Sequence, residues 1–494
     1  MRIAFLNPQG NFDPQDRYWT AHPDFGGQLV YVKEVALALG RMGHQVDILT
    51  RRILDPAWQG FESTLDTYPG EPNVRIVRLP CGGDGFLPKE ALWPLLGPEW
   101  VPQIIRFYAQ EGAPPEAATT HYGDGGLAGA LWQARGGPPF TFTGHSLGAQ
   151  KLDRLLEMPG HSLTALDAKY QFARRLAAER VAMNHAGRII TSTRQERMEQ
   201  YGHPAYAGAV DTADDAKFAV VPPGVNLRIF DAEARGPDDK RIAKFLEQML
   251  ARDLDPERRY LPAVLCSSRL DPKKNHLGLV RAFAQSQKLQ ESANLLIVVR
   301  GAKDIHSREG LTATERAVLD EIVEVCQAAD LWGKVSAFSL ASQTELAAAY
   351  RHLSARRSVF ALTALYEPFG LAPLEAVAAG LPALVTRNGG PSESLYDDAS
   401  GREYGVLVDP TDVHDIAAGL LRLVGPENEW RPFQQAGRER VLSRYTWDRT
   451  AQGYLTALDD LLARRLPIPS YFWQPHAEDD LDITTLWPVA SQPA

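Results

Sequence analysis

The chain has 494 residues, 44% of them hydrophobic, which is enough for two or three globular domains with substantial cores. Its net charge of −9 argues against broad, non-specific binding to nucleic acid or to membrane surfaces. The three cysteines are widely spaced and form no CxxC pair, so they indicate neither a disulfide framework nor a zinc site. Without a recognisable signal sequence or membrane-spanning run, a soluble, cytoplasmic protein is expected.

The first half of the chain alternates short apolar strands with helical segments. Alternation of this kind predicts a parallel sheet with helices on both faces. Between the first strand and the first helix, predicted at residues 29–41, lies Asp24-Phe-Gly26-Gly27-Gln28. A glycine loop before a helix suits a phosphate or sugar pocket, but it also suits a plain tight turn. The strands are predicted at residues 3–6, 46–50, 74–79, 117–121, 140–143, 189–193 and 218–221.

A second series of strands and helices follows a pause at residues 221–226 and a charged stretch, 231–259, that is predicted to mark a domain boundary. Ligands of doubly wound sheets bind beyond the carboxyl ends of the strands, so a cleft between two such domains is the expected site. Late helices are predicted at residues 431–444 and 451–464, and the tail is expected to pack on the protein because of Tyr471, Phe472, Trp473 and Trp487. The second set of strands is predicted at residues 263–267, 295–299, 335–338, 359–363, 383–386 and 406–408.

The segment 359–391 contains the most informative pattern of strand, loop, helix and stop. The loop is Glu367-Pro-Phe-Gly370, and the first helical turn after it presents free backbone N–H groups that suit a phosphate. Pro373 fits that first turn, because a residue there has no intrahelical N–H bond to lose. If the helix runs unbroken, Glu367 and Glu375 stand about two turns apart. Spacing alone does not distinguish this site from a capped helix with two incidental acids.

A second candidate, Ser268-Arg-Leu-Asp-Pro-Lys-Lys-Asn275, follows the first strand of the second domain. Arg269 and Lys274 would place two cations over the same helix end, where a diphosphate leaving group gains charge. The alternative is a solvated basic loop.

These motifs, with Gly380-Leu-Pro and Asn388-Gly-Gly, resemble those of retaining nucleotide-sugar glycosyltransferases of the GT-B type. The first half narrows the resemblance to the bacterial sucrose-phosphate synthases, nearly over the whole chain. The motifs that carry it are Asp24-Phe-Gly-Gly-Gln28, Phe86-Leu-Pro-Lys89, His121-Tyr-Gly-Asp-Gly125 and Thr143-Gly-His-Ser-Leu-Gly-Ala-Gln-Lys151.

The resemblance implies an α/β fold of two doubly wound Rossmann-like domains that face a central cleft, with a C-terminal helix and tail returning to the N-terminal domain. Residues 1–223, with the tail from about 450 to 494, would bind the acceptor, and residues 224–449 would bind the nucleotide sugar. The implied reaction transfers glucose from UDP-glucose to fructose 6-phosphate with retention, giving sucrose 6-phosphate and UDP. No cofactor, metal, nucleic acid or membrane is implied, and a separate sucrose-phosphate phosphatase is an expected partner.

The resemblance also assigns residues. Arg269 and Lys274 would bind the UDP phosphates, Glu375 the ribose hydroxyls, Glu367 would lie near the donor glucose, and His145 would approach the glucose 6-hydroxyl. The catalytic set is therefore His145, Glu367, Arg269 and Lys274. The donor-binding set is Gly27, Arg269, Lys274, Leu340, Glu367, Phe369, Gly370, Leu371, Ala372 and Glu375. The acceptor-binding set is Gly26, Gln28, Lys89, Tyr122, Ser146, Lys151 and Arg175.

Single members of the acceptor set have simpler explanations. Arg175 could be one arm of a salt bridge on a helix predicted at residues 170–183, Lys89 a loop charge, and Tyr122 the edge of an amphipathic core. As a set, they supply the point charges, the guanidinium and the hydroxyls that a sugar phosphate needs.

Four other functions stay open at this point. Gly144-His145-Ser146-Leu147-Gly148 matches the G-x-S-x-G elbow of serine hydrolases. A sucrose synthase would use free fructose, for which Lys89, Lys151 and Arg175 have no evident purpose. A mannosylfructose-phosphate synthase would use GDP-mannose, and a non-catalytic sugar-phosphate sensor would need a broken donor site.

Overall fold

A computed structural model describes residues 1–18, 26–464 and 481–487. The chain forms two compact units, one of Met1–Pro222 with Thr450–Ala494 and the other of Pro223–Arg449. Asp24 and the tail aromatic residues Tyr471, Phe472 and Trp473 lie outside the described residues.

The first unit contains an eight-stranded sheet in the order β3-β4-β2-β1-β5-β6-β7-β8. Every neighbouring pair is parallel except β3 and β4, which are antiparallel. The short edge strand β3 was not predicted from the sequence. The strands are β1 Arg2–Leu6, β2 Gln45–Arg51, β3 Leu65–Tyr68, β4 Glu71–Leu79, β5 Ala117–His121, β6 Phe140–Thr143, β7 Arg188–Thr191 and β8 Phe218–Val220.

Helices connect these strands. Their bounds are α1 Gly27–Arg41, α2 Lys89–Leu95, α3 Val101–Glu111, α4 Tyr122–Gln133, α5 Gly148–Leu156, α6 Leu163–Tyr170 and α7 Phe172–His185.

Helix α4 packs unusually close to its neighbours because it is rich in glycine. An added Cβ on Gly125 would lie 2.6 Å from the carbonyl oxygen of Leu6, and one on Gly126 would lie 2.4 Å from the Cβ of Ala182. A larger side chain at either position would push α4 away from β1 or α7. The glycines therefore set the depth of the helix that follows β5.

The second unit contains a six-stranded parallel sheet in the order β11-β10-β9-β12-β13-β16. Counted within the unit this is 3-2-1-4-5-6, the Rossmann order, in which the winding direction reverses between β9 and β12. Tyr396–Asp397 and Arg402–Glu403, β14 and β15, form a separate antiparallel pair. The remaining strands are β9 Ala263–Ser267, β10 Asn294–Val298, β11 Val335–Phe338, β12 Val359–Leu362, β13 Ala383–Thr386 and β16 Val406–Val408.

Side chains of this sheet alternate between two apolar layers, as the period of two along a strand requires. In β9, Val264 and Cys266 join one buried cluster, and Ala263 and Leu265 join the other. Helices cover both faces. They are α8 Leu227–Phe230, α9 Asp239–Asp253, α10 His276–Gln285, α11 Gln287–Ser292, α12 Ala313–Ala328, α13 Gln343–Ser354, α14 Leu371–Ala378, α15 Pro391–Ser394, α16 Val413–Leu423 and α17 Glu427–Arg444. Two further helices, α18 Trp447–Ala463 and α19 Ile483–Leu486, follow in the chain, and residues from Thr450 onward belong to the first unit.

The charged stretch 231–259 was predicted to mark a domain boundary, but it lies within the second unit, which begins at Pro223. It contains the 15-residue helix α9, whose buried residues Ile242, Leu246 and Leu250 recur every four positions. That spacing places them on one helical face, which packs in the apolar cluster of the second unit. The stretch is therefore part of the second unit rather than a linker.

The C-terminal segment returns to the first unit, as predicted. The hydroxyl of Thr450 donates to the carbonyl of Pro222, and the hydroxyl of Tyr454 lies 2.9 Å from Thr143 Oγ1. Ile483 is buried in the core of this unit, and Trp487 stacks on His203 with ring centroids 5.2 Å apart.

The α/β class and the two doubly wound sheets are thereby confirmed, and most predicted strands agree with the observed bounds within two residues. None of the described helices combines the length and the apolarity that crossing a membrane requires.

Replacing Gly126 by valine tests the packing of α4. The branched side chain cannot fit against Ala182 and Phe142, so we expect the free energy of unfolding to fall by about 1–3 kcal/mol. Gly85→Ala is the control, because its added Cβ meets no described atom within 4 Å. Denaturant unfolding of both variants checks the prediction, and equal loss in the two would contradict it.

Candidate active site

In the first unit, polar residues gather where the winding of the sheet reverses. Strands β1 and β5 are neighbours there, and β6 lies beside β5. The segments that directly follow these three strands carry Gln9, Tyr122 and Ser146, and all three residues line one pocket. Because the carboxyl ends of parallel strands meet at one edge, residues far apart in sequence reach the same place.

This pocket has a volume of about 270 Å3, and we call it the acceptor pocket after the role predicted for most of its charged residues. It brings together five of the seven residues predicted to bind the acceptor: Lys89, Tyr122, Ser146, Lys151 and Arg175. The other two, Gly26 and Gln28, do not line it.

Arg175 is held in place by a buried carboxylate. Its Nε donates to Glu179 Oε1 at 2.9 Å, and its Nη2 donates to the carbonyl of Ser146 at 2.5 Å. Glu179 also accepts from the backbone N–H of Gly148 and from the hydroxyl of Tyr206. Burial lowers the pKa of Arg175, but Glu179 more than offsets this, so the pKa lies above its ordinary value. Arg175 is therefore both an arm of an intrahelical ion pair and a lining residue of the pocket.

The two lysines of the pocket come from different helices. Lys89 is the first residue of α2, and Lys151 lies in the first turns of α5. The Nζ of Lys151 lies 4.9 Å from the centroid of the Tyr170 ring. Lys169 lies at the same distance from this ring but does not line the pocket.

Sequence reasoning missed several lining residues, of which Asp124 is the most informative. It is buried in the first turn of α4, where its Oδ1 accepts from the N–H of Gly125 and its Oδ2 has no partner among the described residues. Burial raises the pKa of Asp124 to about 7. Asp124 belongs to a quoted motif, but Gln9 and Trp93 also line the pocket and gave no sequence signal. Glu179 could have been found as the residue four positions after Arg175.

His145 lies beside the pocket, in contact with a second histidine. Its Nε2 is 2.9 Å from Nδ1 of His121, and the ring centroids are 5.1 Å apart with 27° between the ring planes. His145 and Tyr122 both have left-handed backbone conformations, with φ of 56° and 61°, and their rings are in contact. Non-glycine residues in this conformation are strained and concentrate at functional sites.

Gly26, Gly27 and Gln28 form the start of α1. The side chain of Gln28 bonds to that of Asn7, whose Nδ2 donates to the carbonyl of Gln9 at 2.5 Å. Gln28 is thus linked through Asn7 to Gln9, which lines the acceptor pocket. An added Cβ on either glycine would meet no described atom within 4 Å, so packing among the described residues does not require glycine here.

In the second unit, two loops are tied together where β9 and β12 lie side by side. The Nδ2 of Asn275, which follows β9, donates to the carbonyl of Thr363, which follows β12, at 3.0 Å. The N–H of Leu365 donates to the carbonyl of Lys273 at 2.9 Å. These bonds unite the two motifs that were identified separately in the sequence.

Two of the four residues predicted to be catalytic, Lys274 and Glu367, form an ion pair across these loops. The Nζ of Lys274 lies 2.6 Å from Oε2 of Glu367, and both side chains are partly exposed, at 23% and 13%. Arg269 is exposed, and its guanidinium makes no hydrogen bond within the described part of the chain.

The Glu367 loop is pressed against Gly389 and Gly390. An added Cβ on Gly390 would lie 2.5 Å from the Cα of Phe369, and one on Gly389 would lie 2.1 Å from the carbonyl oxygen of Glu367. The N–H of Gly390 donates to that carbonyl at 2.9 Å. The Asn388-Gly-Gly motif is therefore needed for this close approach.

Helix α14 begins directly after Gly370, which has a left-handed conformation with φ of 89°. Leu371 and Ala372 form its first turn with Pro373, as predicted. The helix does not include Glu367, so the separation of two helical turns between Glu367 and Glu375 does not apply. Because Gly370 is in the left-handed conformation, it separates the loop from α14, and no continuous helix joins Glu367 to Glu375.

Glu375, on α14, has no side-chain hydrogen bond with any described residue, and burial raises its pKa to about 7. Leu340 follows the edge strand β11, two strands away from β9, and is buried in the same apolar cluster that Phe369 and Ala372 contact.

The geometry around Ser146 differs from that of a hydrolase elbow. The left-handed residue is His145 rather than Ser146, and the Oγ of Ser146 bonds to no histidine among the described residues. His145 instead pairs with His121. The serine-hydrolase alternative therefore has no nucleophile and base in contact.

Two family profiles match the chain. Residues 26–224 match a "Glycosyl transferase 4-like domain" and residues 256–440 match "Glycosyl transferases group 1". With the two doubly wound sheets, these matches define a glycosyltransferase of the GT-B type.

Similar proteins narrow this class. A probable sucrose-phosphate synthase from Thermosipho melanesiensis is 42% identical over 96% of this chain and 99% of its own length. A probable sucrose-phosphate synthase 1 from Oryza sativa subsp. indica is 33% identical over 88% of this chain, which spans 44% of that longer protein. The solved structure of a sucrose-phosphate synthase from Thermosynechococcus elongatus is 26% identical, with a TM-score of 0.62 over 94% of this chain and 99% of that one. The chain therefore belongs to the sucrose-phosphate synthase family of hexosyltransferases, which confirms the family predicted from its motifs.

The neighbouring residues Lys274 and Lys273 allow a matched test of the donor site. Lys274→Met removes the cation paired with Glu367. We expect the rate of glycosyl transfer to fall by about 100-fold or more, because a group that stabilises negative charge in the transition state is lost. Lys273→Met changes an exposed side chain and keeps the backbone carbonyl that Leu365 uses, so its activity should stay near that of the wild type. Initial rates at saturating substrates check this, and equal losses would refute the assignment.

Proposed function

We propose that this protein transfers glucose from UDP-glucose to the C2 hydroxyl of fructose 6-phosphate, giving sucrose 6-phosphate and UDP with retention at the anomeric carbon. The single observation that carries the proposal is the acceptor pocket. Lys89, Lys151 and Arg175 line it together with the hydroxyls of Tyr122 and Ser146. Three cations and two hydroxyls suit a phosphate dianion and would have no evident purpose for free fructose.

Arg175 is suited to a phosphate because part of its guanidinium remains available. A guanidinium carries five N–H groups, and the hydrogen bonds to Glu179 and to the Ser146 carbonyl use two of them. The ion pair with Glu179 keeps the planar group in one orientation. A phosphate would then meet a preorganised donor rather than a mobile side chain.

For the donor, we assign the diphosphate to Arg269, Lys274 and the backbone N–H groups at the start of α14. Helix N-termini favour anions, and Leu371 and Ala372 offer N–H groups there. The ion pair between Lys274 and Glu367 supports this role, because an incoming phosphate could take over the lysine while Glu367 turns to the glucose. Gly370 and Phe369 would contribute backbone contacts to the sugar.

Glu375 is assigned to the ribose hydroxyls. A carboxylate whose pKa is raised to about 7 by burial, and which has no hydrogen bond from the described residues, gains stability when two hydroxyls donate to it. Leu340 would shape the apolar surroundings of the nucleotide.

The proposed step balances without a protein nucleophile. The bond between the glucose anomeric carbon and the diphosphate oxygen breaks, and a bond to the acceptor oxygen forms on the same face of the sugar. The proton of the acceptor hydroxyl passes to the departing diphosphate. Arg269 and Lys274 stabilise the negative charge that develops on the leaving group, so they act mainly in the transition state.

Residues at the start of α1 and after β6 complete the proposal. Gly26, Gly27 and Gln28 would line the junction of donor and acceptor, and His145 would hold the glucose 6-hydroxyl. We also propose a cytoplasmic location. A separate phosphatase would consume sucrose 6-phosphate, because free sucrose requires loss of the phosphate group.

A matrix of donors and acceptors tests the proposal. UDP-glucose, ADP-glucose, GDP-glucose and GDP-mannose are each combined with fructose and with fructose 6-phosphate, and products are identified by NMR. We expect the highest kcat/KM with UDP-glucose and fructose 6-phosphate. A preference for free fructose or for GDP-mannose would replace the proposal by one of the two related synthases.

Lys151 and Lys169 provide a matched pair for the acceptor, since each lies over the Tyr170 ring and only Lys151 lines the pocket. Lys151→Ala should raise KM for fructose 6-phosphate by about 10- to 100-fold, because a charge-assisted hydrogen bond contributes about 1.5–3 kcal/mol. Lys169→Ala should leave this KM nearly unchanged. Steady-state kinetics with fructose 6-phosphate varied decide the matter, and unchanged KM in Lys151→Ala would exclude this lysine from phosphate binding.

A further inference from the structure

We propose that His121 is a positioning residue that holds His145 in one tautomer, so that His145 presents Nδ1–H as a hydrogen-bond donor to the sugar. This inference rests on the proposed function only in the identity of the sugar. His121 itself is fully buried and does not reach the substrate. It would act through its contact with His145.

The contact is direct and involves the ring nitrogens. Nδ1 of His121 lies 2.9 Å from Nε2 of His145, a hydrogen-bond distance, and the rings are nearly parallel at 27°. Both imidazoles are neutral: burial lowers the pKa of His145 to about 3, and burial with the neighbouring His145 lowers that of His121 well below its ordinary value. Each ring therefore carries one hydrogen, and one hydrogen lies between the rings.

Two arrangements of these hydrogens satisfy the contact. In the first, Nδ1–H of His121 donates to Nε2 of His145, and His145 carries its own hydrogen on Nδ1. In the second, Nε2–H of His145 donates to Nδ1 of His121, and His121 must carry its hydrogen on Nε2. The two arrangements differ in whether His145 offers the sugar a donor or an acceptor.

The surroundings of His121 favour the first arrangement. Its Nε2 is buried and has no hydrogen-bond partner among the described residues. A hydrogen on that atom would be a buried donor without an acceptor, whereas without it only a lone pair is left unpaired. Among backbone groups, buried donors without partners are rarer than under-satisfied acceptors. We infer that an unpaired acceptor is likewise preferred to an unpaired donor at Nε2 of His121. His145 consequently has Nδ1–H.

Neighbouring groups confine the His145 ring as well. Tyr31 packs edge-on against it at 4.9 Å between centroids, and Tyr122 contacts it at 5.5 Å. The hydroxyl of Tyr31 in turn lies 3.2 Å from that of Tyr454. With the Tyr31 and Tyr122 rings and His121 packed around it, the His145 ring has little room to turn. Its Nδ1 makes no hydrogen bond to any described residue and is therefore available to a ligand.

Two substitutions of His121 separate positioning from bulk packing. His121→Asn can place an amide N–H near the position of Nδ1, while His121→Leu fills the site without a donor. We expect His121→Leu to lose about 10- to 100-fold in kcat, by analogy with the loss of a residue that orients a metal-ligating histidine, with KM for fructose 6-phosphate nearly unchanged. His121→Asn should regain most of the activity. Equal kcat in the two variants would overturn the proposal.

NMR of 15N-histidine-labelled enzyme without substrates gives a readout independent of catalysis, and it holds even if His121→Leu does not fold. The His145 signals are assigned by their loss in His145→Gln. We expect the Nδ1–H tautomer in the wild type and in His121→Asn, with His276, whose Nε2 lies 3.1 Å from Ser268 Oγ, as an unaffected reference. An Nε2–H tautomer of His145 in the wild type would overturn the proposal. Product analysis separately tests the proposed reaction.

Discussion

The chemistry of both units depends on one constraint, which is that parallel strands end at the same edge of a sheet. Where the winding direction reverses, the two neighbouring connections turn to opposite faces and leave a crevice between them. The reversal lies between β1 and β5 in the first unit and between β9 and β12 in the second. Each candidate site is built on these loops, so the strand order decides which side chains meet.

The two ion pairs at these sites differ in burial, and this difference suits their proposed roles. Glu179 is completely buried and accepts bonds from Arg175, Gly148 and Tyr206, so its charge is well compensated. Breaking such a pair leaves a buried charge without a partner, which makes the geometry of Arg175 difficult to change. Lys274 and Glu367 are more exposed and have fewer partners, so their pairing can be exchanged for a ligand at lower cost.

Local sequence patterns predicted most strands because apolar runs of four to six residues are bounded by polar turns. They failed where the signal was mixed. The helix α9 lies in a charged stretch, and its face is marked only by Ile242, Leu246 and Leu250. The predicted separation of two turns between Glu367 and Glu375 required an unbroken helix, and local propensity does not reveal that Gly370 takes a left-handed conformation. In both cases, packing against distant residues decided the conformation.

The sequence by itself determined the α/β class, the family and the residue types that a diphosphate and a sugar phosphate require. It did so because motifs such as Glu367-Pro-Phe-Gly370 combine local backbone requirements with charged groups at short spacing. The resemblance grouped Lys89 and Arg175 in one predicted site, but only the tertiary structure decided which helices bring them into one pocket and that His121 bonds to His145. Those residues belong to separate strands and helices, and their proximity depends on the order of strands in the sheet, which no local periodicity encodes.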